Sequence, residues 1–291
     1  VNPSRLAPGA GIVTVPGDRP VLRTADGEFL RIDTGRVGGA ELVDRLTSGE
    51  GPHADSSAPA SVSASASAEL DRLVAAFEEA GHAVTEPRRP PLTGRTVHLL
   101  GDPVLTEPLS RFATAEGAEV HRATADGLAG LAGRRDTAVV WCLDSPVTEG
   151  LWAEADGLPA RHTAWLRCHR EGAHAWIEPL ACAPGDVTSA HVRLRRLAAT
   201  AAHRELAAYW TGHRTPDTGP HPTEASAALI AALLTADLIA WAGDGRGRGG
   251  GLPARRRLRR IDLRDLTVTE HPVLPVPDVA PLPAPVTRSK A

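Results

Sequence analysis

Pro87, Pro90 and Pro91 punctuate the chain just before a change in hydrophobic period, and that change limits what the two sides can fold into. Before them, three short alternating runs, Gly11–Gly17, Pro20–Ala25 and Glu28–Asp33, are separated by Gly17-Asp18 and Asp26-Gly27, dipeptides that tolerate the positive φ of tight hairpins. A compact meander is expected. Two amphipathic helices follow, Gly39–Thr47 with Leu42, Val43 and Leu46 apolar, and Ala68–Ala80 with Leu70, Leu73, Val74 and Phe77 on one face, stopped by Gly81. Between them His53–Ser67 is almost wholly Ser, Ala and Pro, too poor in large apolar groups to offset ordering entropy, so the expectation is a mobile insert. Glu86–Thr93 is expected to be a stiff, extended linker.

From Gly94 strands and helices alternate. Thr96–Leu100, Glu119–Arg122 and the continuous apolar run Thr137–Cys142 are predicted strands, and Val104–Glu116 and Asp126–Arg134 are predicted helices between them. This βαβαβ order implies a doubly wound, mostly parallel sheet. Ala164–Arg170 and Ala173–Ala181 follow as a hairpin through Glu171-Gly172, then a helical zone over Ser189–Trp210 and Glu224–Ala242. The fold class is α/β, with residues 1–86 a winged-helix-like α+β module, 87–93 a linker and 94–291 the main body.

Composition narrows the function classes. With 291 residues and 42% apolar content the chain can fill two cores, and a net charge of −3 argues against general nucleic-acid binding. Cys142, Cys168 and Cys182 are too few for a disulfide framework, and no stretch reads as a secretion signal, so a reducing cytoplasm is expected. The longest apolar helix, Ala225–Ala242, carries Asp237 and is expected to be buried in protein and not in a membrane.

The first module resembles the PqqD-like recognition element, a winged helix that binds the leader of a ribosomally made precursor peptide. Family members carry a short middle helix where His53–Ser67 stands here. The resemblance implies strand addition: the leader pairs with the edge formed by Phe29, Leu30, Arg31, Ile32 and Asp33, and its apolar side chains enter a groove flanked by Arg72, Ala76 and Glu79 of the last helix. Phe29 and Arg31 lie on one face and Leu30 and Ile32 on the other, and the sequence leaves open which pair faces inward. Leu70, Leu73 and Phe77 are assigned to the core.

The body is similar to the ThiF-like fold of ubiquitin-activating-type adenylating enzymes, on the run Asp136 to Ser145, a following helix, the Ala164–Ala181 hairpin, Pro184-Gly185 and the stretch Ile261–Pro277 with His271-Pro272. It is closest in pattern to the divergent members that accompany YcaO cyclodehydratases in making azole-containing peptides, including thiopeptides. That resemblance also leaves room for a homodimer through the ThiF-like domain.

The adenylating chemistry is worn down. Where active members have a glycine-rich phosphate loop, this chain reads Leu99-Leu100-Gly101-Asp102-Pro103, with one glycine and a proline that has no amide to donate. The family's magnesium-holding Asp corresponds to Asp144, beside Ser145 in place of Asn, and the only lysine is Lys290. Asp144 is therefore a degenerate remnant, expected to cap a helix after the strand. The paired zinc cysteines are missing near Thr188–His191 and Val276–Val279, and Cys168, His169, His174 and Cys182 are assigned to packing and surface, since adjacent strand residues point to opposite faces. The histidines lack a spacing that pairs them with an acid or nucleophile. Arg255, Arg256, Arg257, Arg259 and Arg260 form a dense positive cluster, expected to be solvated where a strand begins. No cofactor, metal, catalytic residue, nucleic acid or membrane is assigned.

These readings converge on a leader-binding, non-catalytic partner that delivers a precursor peptide to a YcaO cyclodehydratase. The alternative is a degenerate adenylating enzyme, and a third class, a DNA-binding winged helix, is disfavoured by the acidic balance.

Overall fold

The computed structural model describes residues 4–15, 19–35, 37–47, 60–85, 89–243 and 251–277. The chain divides into two units, Val1–Arg89 and Pro90–Ala291.

In the first unit, β1 (Arg5–Leu6) will later pair with a short return strand. An antiparallel meander comes next, made of β2 (Gly11–Val13), β3 (Val21–Arg23) and β4 (Phe29–Arg31), in that spatial order. The β3–β4 turn uses Gly27 at φ 86°, as the Asp26-Gly27 dipeptide predicted, while Gly17-Asp18 lies outside the described residues. Helix α1 (Gly39–Thr47) and helix α2 (Ala60–Glu79) then supply Leu42, Leu46, Leu70, Val74 and Phe77 to a core shared with Leu22 and Ile32. Helix α2 ends in a Schellman motif: Gly81, at φ 73°, donates to the Glu78 carbonyl, and the His82 N–H reaches back to Phe77. β5 (Ala83–Val84) closes the unit against β1.

Helix α2 begins at Ala60, inside the stretch expected to be mobile. Alanine has the highest helix propensity, and adding turns to a helix already anchored by Leu70, Val74 and Phe77 requires no new nucleation. Residues 53–59 lie outside the described set. The expected linker is also shorter than predicted. Leu92 is fully buried and donates its N–H to the Glu116 carbonyl, and Thr93 closes a turn on Pro90, so residues 90–93 are built into the second unit.

The second unit is a seven-stranded sheet. Its strands are β6 (Thr96–Gly101), β7 (Glu119–Arg122), β8 (Thr137–Leu143), β9 (Ala164–Glu171), β10 (His174–Ile177), β11 (Arg257–Asp262) and β12 (Val268–Pro272), in spatial order β12-β11-β10-β9-β8-β6-β7. The β6–β7, β6–β8 and β8–β9 pairs are parallel, and β10, β11 and β12 extend the sheet antiparallel. Helix α3 (Pro103–Ala115) crosses from β6 to β7. The crossover from β7 to β8 is a 3₁₀ segment, Ala125–Leu131, and not the predicted α-helix, since Gly127 and Gly130 lower helix propensity within it. The zone Ser189–Trp210 is two helices, α4 (Ser189–Ala198) and α5 (His203–Trp210), broken where the Thr200 hydroxyl takes the Ala202 N–H.

β8 is covered on both faces, as its apolar run required. Ala138, Val140 and Cys142 pack on one side with helix α6 (Glu224–Ala242), and Val139 and Trp141 pack on the other with Trp152 and Trp165. Among the described residues α6 is the helix long and apolar enough to cross a membrane, and here Ile230, Leu234 and Leu238 seat it on the sheet. Asp237 within it has a partner described below.

Candidate functional site

The edge of β4 takes its geometry from hydrogen-bond phase. The Thr24 N–H bonds the Glu28 carbonyl at 2.8 Å and the Ile32 N–H bonds Pro20 at 3.3 Å, bracketing the register Val21↔Arg31, Leu22↔Leu30, Arg23↔Phe29. Bonded and non-bonded pairs alternate along an antiparallel ladder, so Phe29 and Arg31 fall at the non-bonded positions. Their N–H and C=O groups turn away from β3. Within the described residues β4 pairs with β3 alone, which leaves that row open.

The side chains answer the question the sequence left open. Ile32 is buried in the core, so Leu30 shares the inward face, and Phe29 and Arg31 point outward. Leu30 remains 42% exposed and Phe29 63% exposed, large apolar groups at an open strand edge. Asp33 is exposed, 3.6 Å from the Arg19 guanidinium, and accepts the Gly35 N–H. On α2, Arg72, Ala76 and Glu79 are all exposed. The flank turned towards the end of β4 is marked by Glu69, whose Oε1 would lie 2.4 Å from a Cβ placed on Gly35. At about 100° per residue, Glu69, Leu73 and Ala76 ascend this flank, while Arg72 and Glu79 sit about 60–80° further round. Leu73, half-buried, is the residue that helical spacing alone assigns to the core.

A second constellation lies at the carboxyl ends of β6 and β8, the switch point at which doubly wound sheets bind ligands. Gly101, at φ 101°, allows the two strand ends to meet: a Cβ there would fall 1.8 Å from the Cys142 carbonyl oxygen. Asp102 donates its N–H to that carbonyl, and its carboxylate accepts the Asp144 N–H at 2.7 Å. Asp102 also stands at the N-terminus of α3 with Pro103 behind it, so a carboxylate occupies the position where a helix start would attract a phosphate.

Asp144 does not cap a helix, since turns follow it and the first helical segment, a 3₁₀ turn, comes only at Ala155. Its carboxylate is held by the Arg170 Nε and by His221 Nδ1 at 2.6 Å. Arg170, 1% exposed, also binds the Asp144 carbonyl, the Gly172 carbonyl and Asp217, the last at 2.9 Å. Burial alone would depress the Arg170 pKa, but its bonds to Asp144 and Asp217 hold it above the ordinary value. The His221–Asp144 pair joins residues far apart in the chain, which is why sequence spacing missed it.

Glu171, next to Arg170, forms another knot. Arg196 grips both its oxygens, and Trp210 Nε1 donates to it at 2.7 Å. Burial would raise its pKa, yet the hydrogen bonds and charges of His169 and Arg196 hold it well below the usual carboxylate range. Of the weighed metal ligands, Cys168 lies in the core against α6, whereas His169 packs on Trp152, His174 faces Asp262 and Cys182 is half-buried beside Asp186. Burial pushes the Cys142 thiol up to about 12, which keeps it un-ionised. Most of the arginine cluster is not a solvated patch, although Arg260 is exposed. Arg255 binds the buried Asp186, and Arg257 and Arg259, on one face of β11, both bind Asp237 of α6. Arg259 is 2% exposed. The charged residue in an apolar helix and the arginine run are thus partners.

No family model matches the chain, and no curated protein matches it. Solved structures do. The heterocyclase TruD superposes with a TM-score of 0.63 at 13% identity, covering 94% of this chain and 41% of that one. A heterocyclase in complex with substrate and cofactor gives 0.62 at 10% identity, over 94% of this chain and 38% of that one. The chain therefore spans about two fifths of these heterocyclases. MccB of E. coli in complex with ATP gives 0.53 at 9% identity, over 94% and 98% of the two chains. At such identities the likeness is one of fold: an α/β, ThiF-like sheet preceded by a small β-containing module.

Proposed function

We propose that this chain is a leader-peptide-binding partner protein, without catalysis of its own, in the biosynthesis of a ribosomally made azole-containing peptide, and that it delivers the precursor to a YcaO cyclodehydratase. The observation that carries the reading is the open β4 edge, with the main-chain groups of Phe29 and Arg31 turned away from β3 and unpaired among the described residues, and Phe29 and Leu30 exposed beside them. A PqqD-like docking mode uses such an edge: main-chain bonds supply affinity and alternate side chains select the ligand. Phe29 to Asp33 make the docking strand, with Leu73 and Ala76 nearer the groove than Arg72 and Glu79. Tethering the precursor raises its effective concentration at the partner enzyme without new chemistry in this chain.

The alternative, an adenylating enzyme, needs a free switch-point crevice. Here the Asp102 carboxylate is bonded to the Asp144 N–H and Asp144 is tied through Arg170 to Asp217, which supports the non-catalytic reading. The test is fluorescence polarisation with a labelled precursor leader peptide. Binding by the full chain that is lost in Arg31→Pro and kept in Arg31→Ala is the expected result. Equal affinity of all three proteins overturns strand addition.

A further inference from the structure

A cavity of about 930 Å³ lies in the second unit between α4 and α5 and the antiparallel half of the sheet, within the size range of small-ligand sites. Its floor is set by register: Trp176 of β10 pairs with Arg260 of β11, and Leu258 pairs with His271 of β12. Leu206 and Tyr209 of α5 face it from the other side.

The charges around it divide into spent and free. Arg195 is held by the Leu274 and Pro275 carbonyls, and Arg196 is held by Glu171 and stacked 4.0 Å over Trp176. The side chains of Arg260 and His271 on the floor and of Glu205 on α5 have no hydrogen-bond or ion-pair partner among the described residues. The buried Trp176 Nε1 likewise finds no acceptor. One open cationic spot, one open anionic spot and an apolar body between them define a complementary molecule.

We infer that this cavity binds a short apolar peptide as a zwitterion, its carboxylate on Arg260 and His271 and its ammonium on Glu205. A guanidinium matches a carboxylate in two parallel bonds, and one such group suits one carboxylate better than a triphosphate. The site belongs to the second unit and does not draw on the β4 edge. It gives the body a peptide contact of its own.

The test follows the Trp176 indole N–H resonance of the full chain, identified among the six tryptophans by Trp176→Phe. Trileucine with free termini, its N-acetyl form, its C-terminal amide and the doubly blocked form are titrated separately. Free trileucine is expected to shift the resonance saturably, and each single block to weaken binding about tenfold. Arg260→Ala should erase the difference between acid and amide, and Glu205→Gln the difference between free and acetylated amine. Leu206→Trp, which pushes a larger side chain into the cavity wall opposite Trp176, should weaken the shift. No shift with free trileucine, or equal binding of the doubly blocked form, overturns the inference.

Discussion

Arg170 shows how one side chain can close a site. Its guanidinium joins Asp144 and Asp217 behind the strand ends, and removing it leaves two partly buried carboxylates without their cation. Breaking a buried ion pair from one side typically costs about 3 kcal/mol or more, whereas replacing both partners is far milder. Arg170→Met should therefore lower the urea-unfolding free energy by about 3 kcal/mol, and Asp144→Asn in the same chain should recover a good part. Strict additivity of the two changes would show that the pair is not coupled. Glu171 acts through pH. Its folded pKa lies below the ordinary 4.5, so the unfolded chain binds the proton first as pH falls. Its contribution is complete above about pH 5 and drains away as pH falls through 4.5 towards the folded value. Between pH 5 and pH 3 wild type should lose more stability than Glu171→Gln, and parallel losses would contradict the assignment. Gly101 is the third such residue: Gly101→Ala drives a methyl into the Cys142 carbonyl at a positive φ and should cost more than the lower entropy of the unfolded chain recovers.

At the scale of elements, the docking role proposed for β4 can be separated from folding at two adjacent residues. The Ile32 N–H is already used by Pro20 and its side chain is core, so Ile32→Pro should act on stability, lowering it by about 3 kcal/mol. Arg31 turns its N–H outward, and Arg31→Pro should leave the thermal midpoint within a few degrees while reducing leader affinity about tenfold or more. Differential scanning fluorimetry and polarisation, run on both variants, separate the two effects. A large stability loss in Arg31→Pro would place its N–H inside the sheet and reverse the assigned phase. Helix α2 illustrates the converse, an element longer than its amphipathic part because the preceding Ala/Ser stretch continues a helix that the core has already paid to nucleate.

For the whole molecule, the expected behaviour is docking without nucleotide chemistry. A ligand at a hundred times its Kd would stabilise the fold by about 2.7 kcal/mol, so millimolar ATP with magnesium should leave the thermal midpoint of the full chain unchanged if the crevice is closed. Under the proposed function, the same protein should accelerate a YcaO cyclodehydratase on full-length precursor and not on a leaderless core. A rise in midpoint with ATP that disappears in Asp144→Ala would promote the adenylating alternative.

The order of elements was legible along the chain because it rests on local physics: turn dipeptides such as Asp26-Gly27, the apolar run of β8, the long apolar stretch of α6 and the stop at Gly81. That Pro103 has no amide to donate after β6 could also be seen, whatever surrounds it. Other features depended on partners distant in sequence. Asp144 reads as a helix cap until Arg170 and His221, 26 and 77 residues away, are seen to hold it. The arginine run reads as solvated until β11 is placed beside Asp237. Alternation gives β4 two faces but no preference between them, and only the packing of Ile32 with Leu22, Leu70 and Phe77 chooses one, because burial is a property of the assembled core and not of the strand.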